Sequence, residues 1–297
     1  MRLALLGYPL SHSLSPAMHN AALAHIGLSD WRYEAMPVAP ENLAEAAAAL
    51  RGAAYAGANV TVPHKETIIP FLDGLTPVAQ AIGAVNTILK TPPSSSSPSL
   101  SPQAMDRRAG GKAPSLLGHN TDAAGLLADL HTHQVSISNS PILILGAGGS
   151  ARAAVAACMG VGAHIRMVAR RREQAEALLA QFSTTAQAFD WTSAGFRAAA
   201  QDCALIINCT PIGMTPNVHA SPWPAEAPFP KHAFVYDLIY NPAETQLTQA
   251  AKAAGLRAAT GLGMLIEQGA LAFELWTNKT APRGVMRAAA EEKLRQT

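Results

Sequence analysis

Charged residues and cysteines are scarce in this chain. Only 14% of its 297 residues are charged, and 22 Lys and Arg against 20 Asp and Glu leave a net charge of +2. So small a charge excludes binding of nucleic acid through bulk positive charge. Cys158, Cys203 and Cys209 form no CxxC pair and have no His at metal-ligand spacing, which argues against a disulfide framework and a zinc site. We therefore expect no nucleic-acid partner and no metal.

Long hydrophobic runs are also absent, although 49% of the residues are hydrophobic, enough for sizeable cores. The longest uncharged apolar stretch, residues 153–165, is shorter than the roughly 18 residues that span a membrane. At the N-terminus, the apolar run of residues 3–6 is followed at once by Gly7 and is too short for the core of a signal peptide. We expect no membrane association and a cytoplasmic location.

Strand-like apolar runs alternate with alanine-rich helical stretches, a pattern typical of α/β proteins with mainly parallel sheets. The length corresponds to two domains of roughly 150 residues each. For the first helix, Ser15 is the predicted N-cap, Pro16 occupies the first helical position and Gly27 closes the C-terminus. The predicted strands cover residues 2–6, 32–38, 58–62, 142–145, 164–168, 204–208 and 233–238.

Residues 91–115 break this alternation. The segment is rich in Ser, Pro and Gly and has almost nothing to bury, which predicts a flexible surface insertion. Because such loops tolerate extra length at small entropic cost, we expect it to carry no function of its own.

A glycine-rich turn follows the apolar residues 141–145 and leads into a helical stretch that ends near residue 159. Its residues are Gly146, Ala147, Gly148, Gly149 and Ser150. Glycines allow the backbone to approach a pyrophosphate, and the helix N-terminus offers free N–H groups to its charge. The strand that follows, residues 164–168, completes a βαβ unit, so the turn predicts dinucleotide binding. The alternative is a tight packing turn.

The end of that second strand indicates which dinucleotide is bound. An NAD site would place an acidic residue there, whereas this chain has Ala169, Arg170 and Arg171, followed by Arg172. Guanidinium groups can pair with a 2′-phosphate that a carboxylate would repel, so the sequence favours NADP. Arg170 is the preferred ligand, while Arg172, next to Glu173, is better interpreted as the solvated start of a helix.

Hydroxyl groups and one cation follow two of the predicted N-terminal strands. Ser13 and Ser15 lie between the first strand and the first helix, and Thr61 and Lys65 follow the third strand. Ligands bind at the carboxyl ends of strands in open α/β sheets, so these residues suit a small polyhydroxylated acid. By residue type alone, Ser15 is better interpreted as a helix cap and Lys65 as a solvated lysine.

Eight motifs, in the same order along the chain, resemble those of the shikimate dehydrogenase family. They are residues 11–16 (SHSLSP), 59–65 (NVTVPHK), 83–87 (GAVNT), 120–122 (NTD), 146–150 (GAGGS), 208–214 (NCTPIGM), 236–240 (YDLIY) and 261–268 (GLGMLIEQ). The resemblance covers nearly the whole chain apart from residues 91–115.

This resemblance implies an NADP-dependent enzyme that interconverts 3-dehydroshikimate and shikimate, a step towards the aromatic amino acids. It implies an open α/β substrate domain of residues 1–122 and 261–297, and a Rossmann-type doubly wound domain of residues 123–260. A homodimer is left open. Lys65 and Asp122 would be the catalytic pair, because a cation within hydrogen-bond reach can stabilise and protonate a developing alkoxide. Asp122 could otherwise merely start the helix that follows it.

The same resemblance assigns the other site residues. The substrate would be held by Ser13, Ser15, Thr61, Asn86, Tyr240 and Gln268. The cofactor would contact residues 146–150, Ala169, Arg170, Arg171, Leu238 and Gly261.

Two positions depart from the family pattern. Where the family commonly has Asn-Arg-Thr, this chain has Ala169-Arg170-Arg171, which puts the polar contacts beside the central arginine in doubt. Pro77 stands where some relatives carry an acidic residue, so that cofactor contact is not expected. Two other functions stay open: a quinate/shikimate dehydrogenase that uses NAD, and a non-catalytic shikimate-binding regulatory homologue.

Overall fold

Two six-stranded sheets organise the structure, a computed structural model that describes residues 1–91, 115–182 and 185–296. Sheet A has the strand order β2-β1-β3-β5-β6-β4. Its strands are β1 (Arg2–Gly7), β2 (Arg32–Pro37), β3 (Tyr55–Val60), β4 (Gly74–Leu75), β5 (Thr87–Thr91) and β6 (Ser115–His119). The first three strands are parallel to one another, whereas β5 runs antiparallel to both β3 and β6.

Sheet B is parallel throughout, with the order β12-β11-β10-β7-β8-β9. Its strands are β7 (Pro141–Leu145), β8 (His164–Ala169), β9 (Gln187–Asp190), β10 (Leu205–Asn208), β11 (Phe234–Asp237) and β12 (Ala258–Thr260). The order runs outward in both directions from β7 and β10, as in doubly wound dinucleotide-binding folds. The predicted α/β class is confirmed by this sheet and by the mixed sheet A.

Ten α-helices cover the sheets in the described residues. They are α1 (Ser15–His25), α2 (Leu43–Ala49), α3 (Pro77–Ile82), α4 (Asp122–Thr132), α5 (Gly149–Gly160), α6 (Arg172–Leu179), α7 (Ser193–Ala200), α8 (Gln246–Ala253), α9 (Leu262–Thr277) and α10 (Arg283–Arg295). Separate apolar cores lie on the two faces of sheet B. After sheet B the chain returns to sheet A, where Ile266 and Phe273 of α9 and Met286 of α10 pack with Leu3 and Met18.

The first helix begins differently from the prediction. Ser15 is the first helical residue, Leu14 occupies the N-cap position, and the helix has no side-chain cap among the described residues. Pro16 follows Ser15 inside the first turn, so the helix start is set by proline geometry instead of a serine cap. The predicted end is confirmed: Gly27 adopts a φ of +78°, and the Leu28 N–H donates to the Leu23 carbonyl at 2.9 Å.

Most of the predicted insertion, residues 91–115, lies outside the described residues. Its two ends are described, because Thr91 closes β5 and Ser115 opens β6, directly opposite each other in the antiparallel pair. No helix in the described residues is long and apolar enough to cross a membrane.

Candidate active site

Residues that follow the carboxyl ends of strands in the two sheets come into contact. Lys65 lies in the segment after β3, and its Nζ is 3.4 Å from Oγ of Ser150, near the start of α5 in the sheet B half. A Cβ added at Gly149 would come within 3.0 Å of the Lys65 Cβ. A glycine at this position therefore allows the turn after β7 to pack against the lysine.

Lys65 and Asp122 form an ion pair at this contact. The Lys65 Nζ donates to Oδ2 of Asp122 at 2.7 Å, and their side chains are only 12% and 5% exposed. Asp122 is also the first residue of α4, so the same residue both starts a helix and pairs with Lys65. A carboxylate in the first turn is favoured by the helix dipole, and after its bonds to Asp122 and Ser150 the ammonium has one further proton for another partner.

Asn86 connects this pair to Gln268, another predicted substrate ligand. Its Nδ2 donates to Oδ1 of Asp122 at 2.8 Å and approaches Oε1 of Gln268 at 3.2 Å. Gln268 lies on α9, which packs closely on α4, because a Cβ at Gly125 would come within 2.8 Å of the Gln268 backbone nitrogen. Residues from three distant parts of the chain therefore converge beside Lys65.

Hydroxyl groups lie near two buried phenols. Burial raises the pKa of Tyr240, and the nearby Ser13 side chain partly offsets that rise. Burial likewise raises the pKa of Tyr33, and the nearby Ser15 side chain partly offsets it. Thr61 is half-buried after β3, and its methyl group occupies the space that a side chain at Gly7 would need.

The glycine-rich turn after β7 can hold a pyrophosphate. Gly146 has a φ of +101°, a conformation that favours glycine. A Cβ at Gly148 would have no heavy atom of the described residues within 4 Å, and no described side chain caps the first turn of α5. The first N–H groups of α5 are therefore available to an anion.

The three consecutive arginines after β8 differ in their surroundings. Arg172 is the first residue of α6 and is paired with Glu176 at 2.8 Å and with Asp190 at 3.2 Å. Arg170 and Arg171 are exposed and have no ion pair with any described residue. They remain free to meet a phosphate, next to the buried Ala169.

Leu238 follows β11, and Gly261 lies between β12 and α9, next to the Leu238 backbone. The Gly261 N–H donates to the Ile239 carbonyl at 3.0 Å. A side chain at Gly261 would collide with the Leu238 backbone. These contacts keep the predicted cofactor-side residues next to the helix that carries Gln268.

Two buried hydrogen-bond groups were missed by the sequence reasoning. The Tyr33 hydroxyl donates to Oδ1 of Asn59 at 2.8 Å, and Nδ2 of Asn59 donates to the Asn86 carbonyl at 3.0 Å. In sheet B, Asp237 accepts bonds from Asn208 at 2.8 Å and Thr245 at 2.7 Å, and burial raises its pKa to about 6. A polar residue at the end of an apolar strand is the signal that marks Asn59, Asn208 and Asp237.

Within the described residues, no group of three or more His, Cys, Asp or Glu side chains could hold a metal ion. All three cysteines are free thiols; Cys158 and Cys203 are buried and Cys209 is half-buried. Burial raises the pKa of Cys158 to about 12 and that of Cys203 to about 11, so neither is an activated nucleophile.

Comparison with known proteins gives consistent matches. Residues 5–88 match the shikimate dehydrogenase substrate binding domain, and residues 261–291 match the shikimate 5′-dehydrogenase C-terminal domain. The shikimate dehydrogenase (NADP(+)) of Symbiobacterium thermophilum is 39% identical over 295 residues, 97% of this chain and 92% of that protein. The enzyme of the same name from Moorella thermoacetica is 41% identical over 296 residues, 98% of this chain and 92% of that protein.

A solved structure also matches this chain over nearly its whole length. Shikimate 5-dehydrogenase from Thermus thermophilus, crystallised with NADP(H) and shikimate, is 37% identical and superposes with a TM-score of 0.82. The match covers 99% of this chain and all of that one. Sequence identity, fold and motif order agree from end to end, and the chain belongs to the shikimate dehydrogenase family.

Proposed function

We propose that this protein is an NADP-dependent dehydrogenase that interconverts 3-dehydroshikimate and shikimate. The observation that carries the proposal is the buried Lys65–Asp122 pair, 2.7 Å apart and facing the glycine-rich turn through Ser150. Relatives that share the fold and about 40% of the sequence are NADP(+)-dependent shikimate dehydrogenases, which supports the same substrate and cofactor here.

The residues of the cofactor side fit NADP. The first N–H groups of α5 would meet the pyrophosphate, and Arg170 with Arg171 would pair with the 2′-phosphate. When bound at these residues, NADPH would supply the hydride for ketone reduction. Ala169, Leu238 and Gly261 would form the walls beside it.

Lys65 acts on the oxygen of the reacting carbon. Its ammonium donates a hydrogen bond to the ketone oxygen, stabilises the negative charge that develops there and delivers a proton to it. In the direction of alcohol oxidation, the neutral amine takes the hydroxyl proton. Asp122 holds the Nζ in place, and Asn86 restrains the second oxygen of that carboxylate.

The hydroxyls and carboxylate of the substrate would be held by Ser13, Ser15, Thr61, Asn86, Tyr240 and Gln268. We propose that residues 1–122 and 261–297 form the domain that carries these side chains, and that residues 123–260 form the cofactor domain. The return of α9 and α10 to the core of sheet A supports this division.

A single set of assays tests the function. Purified protein is mixed with shikimate or quinate and with NADP⁺ or NAD⁺, and the absorbance of the reduced nicotinamide is followed. We expect turnover with shikimate and NADP⁺. Preference for quinate or for NAD⁺ would favour the NAD-dependent alternative, and binding of shikimate without turnover in any combination would indicate a regulatory homologue.

A further inference from the structure

An ion pair joins the two halves of the molecule immediately beside the reactive lysine. Glu66 is the next residue after Lys65, and its Oε2 accepts a hydrogen bond from Nε of Arg152 at 2.9 Å. Arg152 lies on α5, two residues beyond Ser150. The arginine side chain is 15% exposed and the glutamate 42% exposed, so the contact is partly shielded from water.

Arg152 is held in this orientation by further contacts. Its Nη1 donates to Oε1 of Gln181 at 2.7 Å, and it lies 3.2 Å from the place where a Cβ on Gly83 would stand. Gly83 ends α3 with a φ of +70°. Gly83 therefore allows the helix to end in a left-handed conformation and leaves room for the Arg152 guanidinium.

An apolar contact adjoins the ion pair. Ala153, the residue after Arg152, is fully buried in a small cluster with Ile82 and Ala84. Together, the polar and apolar contacts dock the first turns of α5 against the end of α3 and the segment after β3. Lys65 lies in that same segment, under Gly149 and Ser150.

The position of Arg152 is unfavourable without a partner. A cation near the N-terminus of a helix opposes the helix dipole, and it would also be free to turn towards the phosphates that the same helix end binds. Glu66 offsets this charge by pairing with the guanidinium. The position of Arg152 is thus favourable because it pairs with Glu66 across the contact between the two halves.

We infer that Arg152 and Glu66 are positioning residues: their ion pair holds the glycine-rich turn and α5 against the segment that carries Lys65, setting the distance between cofactor and proton donor. The inference rests on the proposed function. Neither residue touches the reacting atoms. Charge pairs of this exposure contribute only modestly to the free energy that holds two elements together. We therefore expect loss of the pair to lower kcat by about threefold to tenfold.

The first test is a double-mutant cycle on the enzyme. Glu66→Gln and Arg152→Gln should each lower kcat with shikimate and NADP⁺, by about threefold to tenfold, while KM for NADP⁺ changes by less than about twofold. The double variant should be no worse than either single variant, and the charge-swapped Glu66→Arg/Arg152→Glu variant should recover part of kcat. Glu292→Gln, which removes an exposed pair on α10, is the matched control and should change nothing.

Two results of the cycle would overturn the inference. Additive losses in the double variant would mean that the residues act separately. A rise in KM for NADP⁺ in Arg152→Gln alone would mean that the arginine binds the cofactor directly. Thermal unfolding of every variant, measured in parallel, separates a local effect from loss of the fold.

A second test does not depend on turnover. Acetylation by an N-hydroxysuccinimide ester, followed by peptide mass spectrometry, reports how accessible Lys65 is, with the exposed Lys252 as internal reference. Glu66→Gln should raise the relative labelling rate of Lys65 by about threefold to tenfold, and an unchanged rate would contradict the inference. If the wild-type protein fails to oxidise shikimate, the proposed function is wrong, and the labelling result still decides whether the pair holds the two halves together.

Discussion

The hydroxyl of Tyr33 donates to Oδ1 of Asn59 across β1, which lies between their two strands. Ser15, a proposed substrate ligand, lies near the same phenol and lowers its pKa, and Asn59 in turn donates to the carbonyl of Asn86. Two proposed substrate residues from different parts of the chain therefore adjoin one buried pair.

Replacing Tyr33 by Phe removes the hydroxyl of this pair and leaves the ring in place. We expect KM for shikimate to rise about fivefold to tenfold, with kcat within about threefold, because substrate binding is weakened more than the chemical step. The unsatisfied Asn59 oxygen should also lower the free energy of unfolding by about 1–3 kcal/mol. Steady-state kinetics and urea unfolding measure the two effects.

Tyr55→Phe is the matched control for that variant. Tyr55 donates to Glu34 at 2.9 Å elsewhere in sheet A, so its loss should leave KM for shikimate unchanged. Equal values of KM in both variants would show that Tyr33 has no role in the substrate site.

Lys65→Met tests the proposed proton donor. The methionine keeps much of the stem length but offers no proton, so kcat should fall by about two to four powers of ten, with KM for shikimate little changed. Asp122→Asn should lower kcat less, because the lysine remains. Lys252→Met, at an exposed lysine, is the control and should keep the wild-type kcat. A wild-type kcat in Lys65→Met as well would mean that Lys65 has no part in the mechanism.

The sequence predicts the centre of sheet B well and its edges poorly. Residues 142–145 and 164–168 are predicted strands, and β7 and β8 extend them by one residue each, because buried parallel strands have continuous apolar runs. The edge strand β9, with the half-exposed sequence QAFD, shows neither a run of apolar residues nor a clear alternation, and it was missed together with the other edge strand, β12.

In sheet A, the short strands β4, β5 and β6 were missed as well.

The site shows the same limit. Lys65 and Asp122 are identified by motif, but Glu66 and Arg152 are 86 residues apart and carry no local pattern. Tyr33 falls within a predicted strand, while its contact with Asn59 depends on the parallel register of three strands. Contacts of this kind arise from topology, which hydrophobic periodicity does not encode.

Arg170→Ala tests the assignment of the cofactor phosphate. Since Arg170 has no acidic partner among the described residues and stands at the end of β8, its removal should raise KM for NADP⁺ by about tenfold or more, as expected for loss of a charge-assisted bond. KM for NAD⁺, which lacks the 2′-phosphate, should change little. Arg172→Ala is the matched control, because Arg172 is already paired with Glu176 and Asp190; equal effects on both cofactors would refute the role of Arg170.

Asp237 gives a prediction about pH. Burial raises its pKa from 3.8 to about 6, against the opposing hydrogen bonds of Thr245, Ile239 and Asn208. Between pH 4 and pH 6 the folded protein thus binds more protons at this group than the unfolded chain does. Its contribution to stability is therefore fully present below pH 4 and is lost as the pH rises through about 6, a change of about 3 kcal/mol.

Asp237→Asn isolates this effect from the other titrating groups. The asparagine cannot ionise, so the free energy of unfolding of the wild-type protein, relative to the variant, should decline by about 2 kcal/mol between pH 4 and pH 7. Urea unfolding of both proteins across that range gives the difference directly. A difference that stays constant with pH would mean that the three hydrogen bonds cancel the penalty of burial, and one that grows in favour of the wild type as the pH rises would mean that they outweigh it.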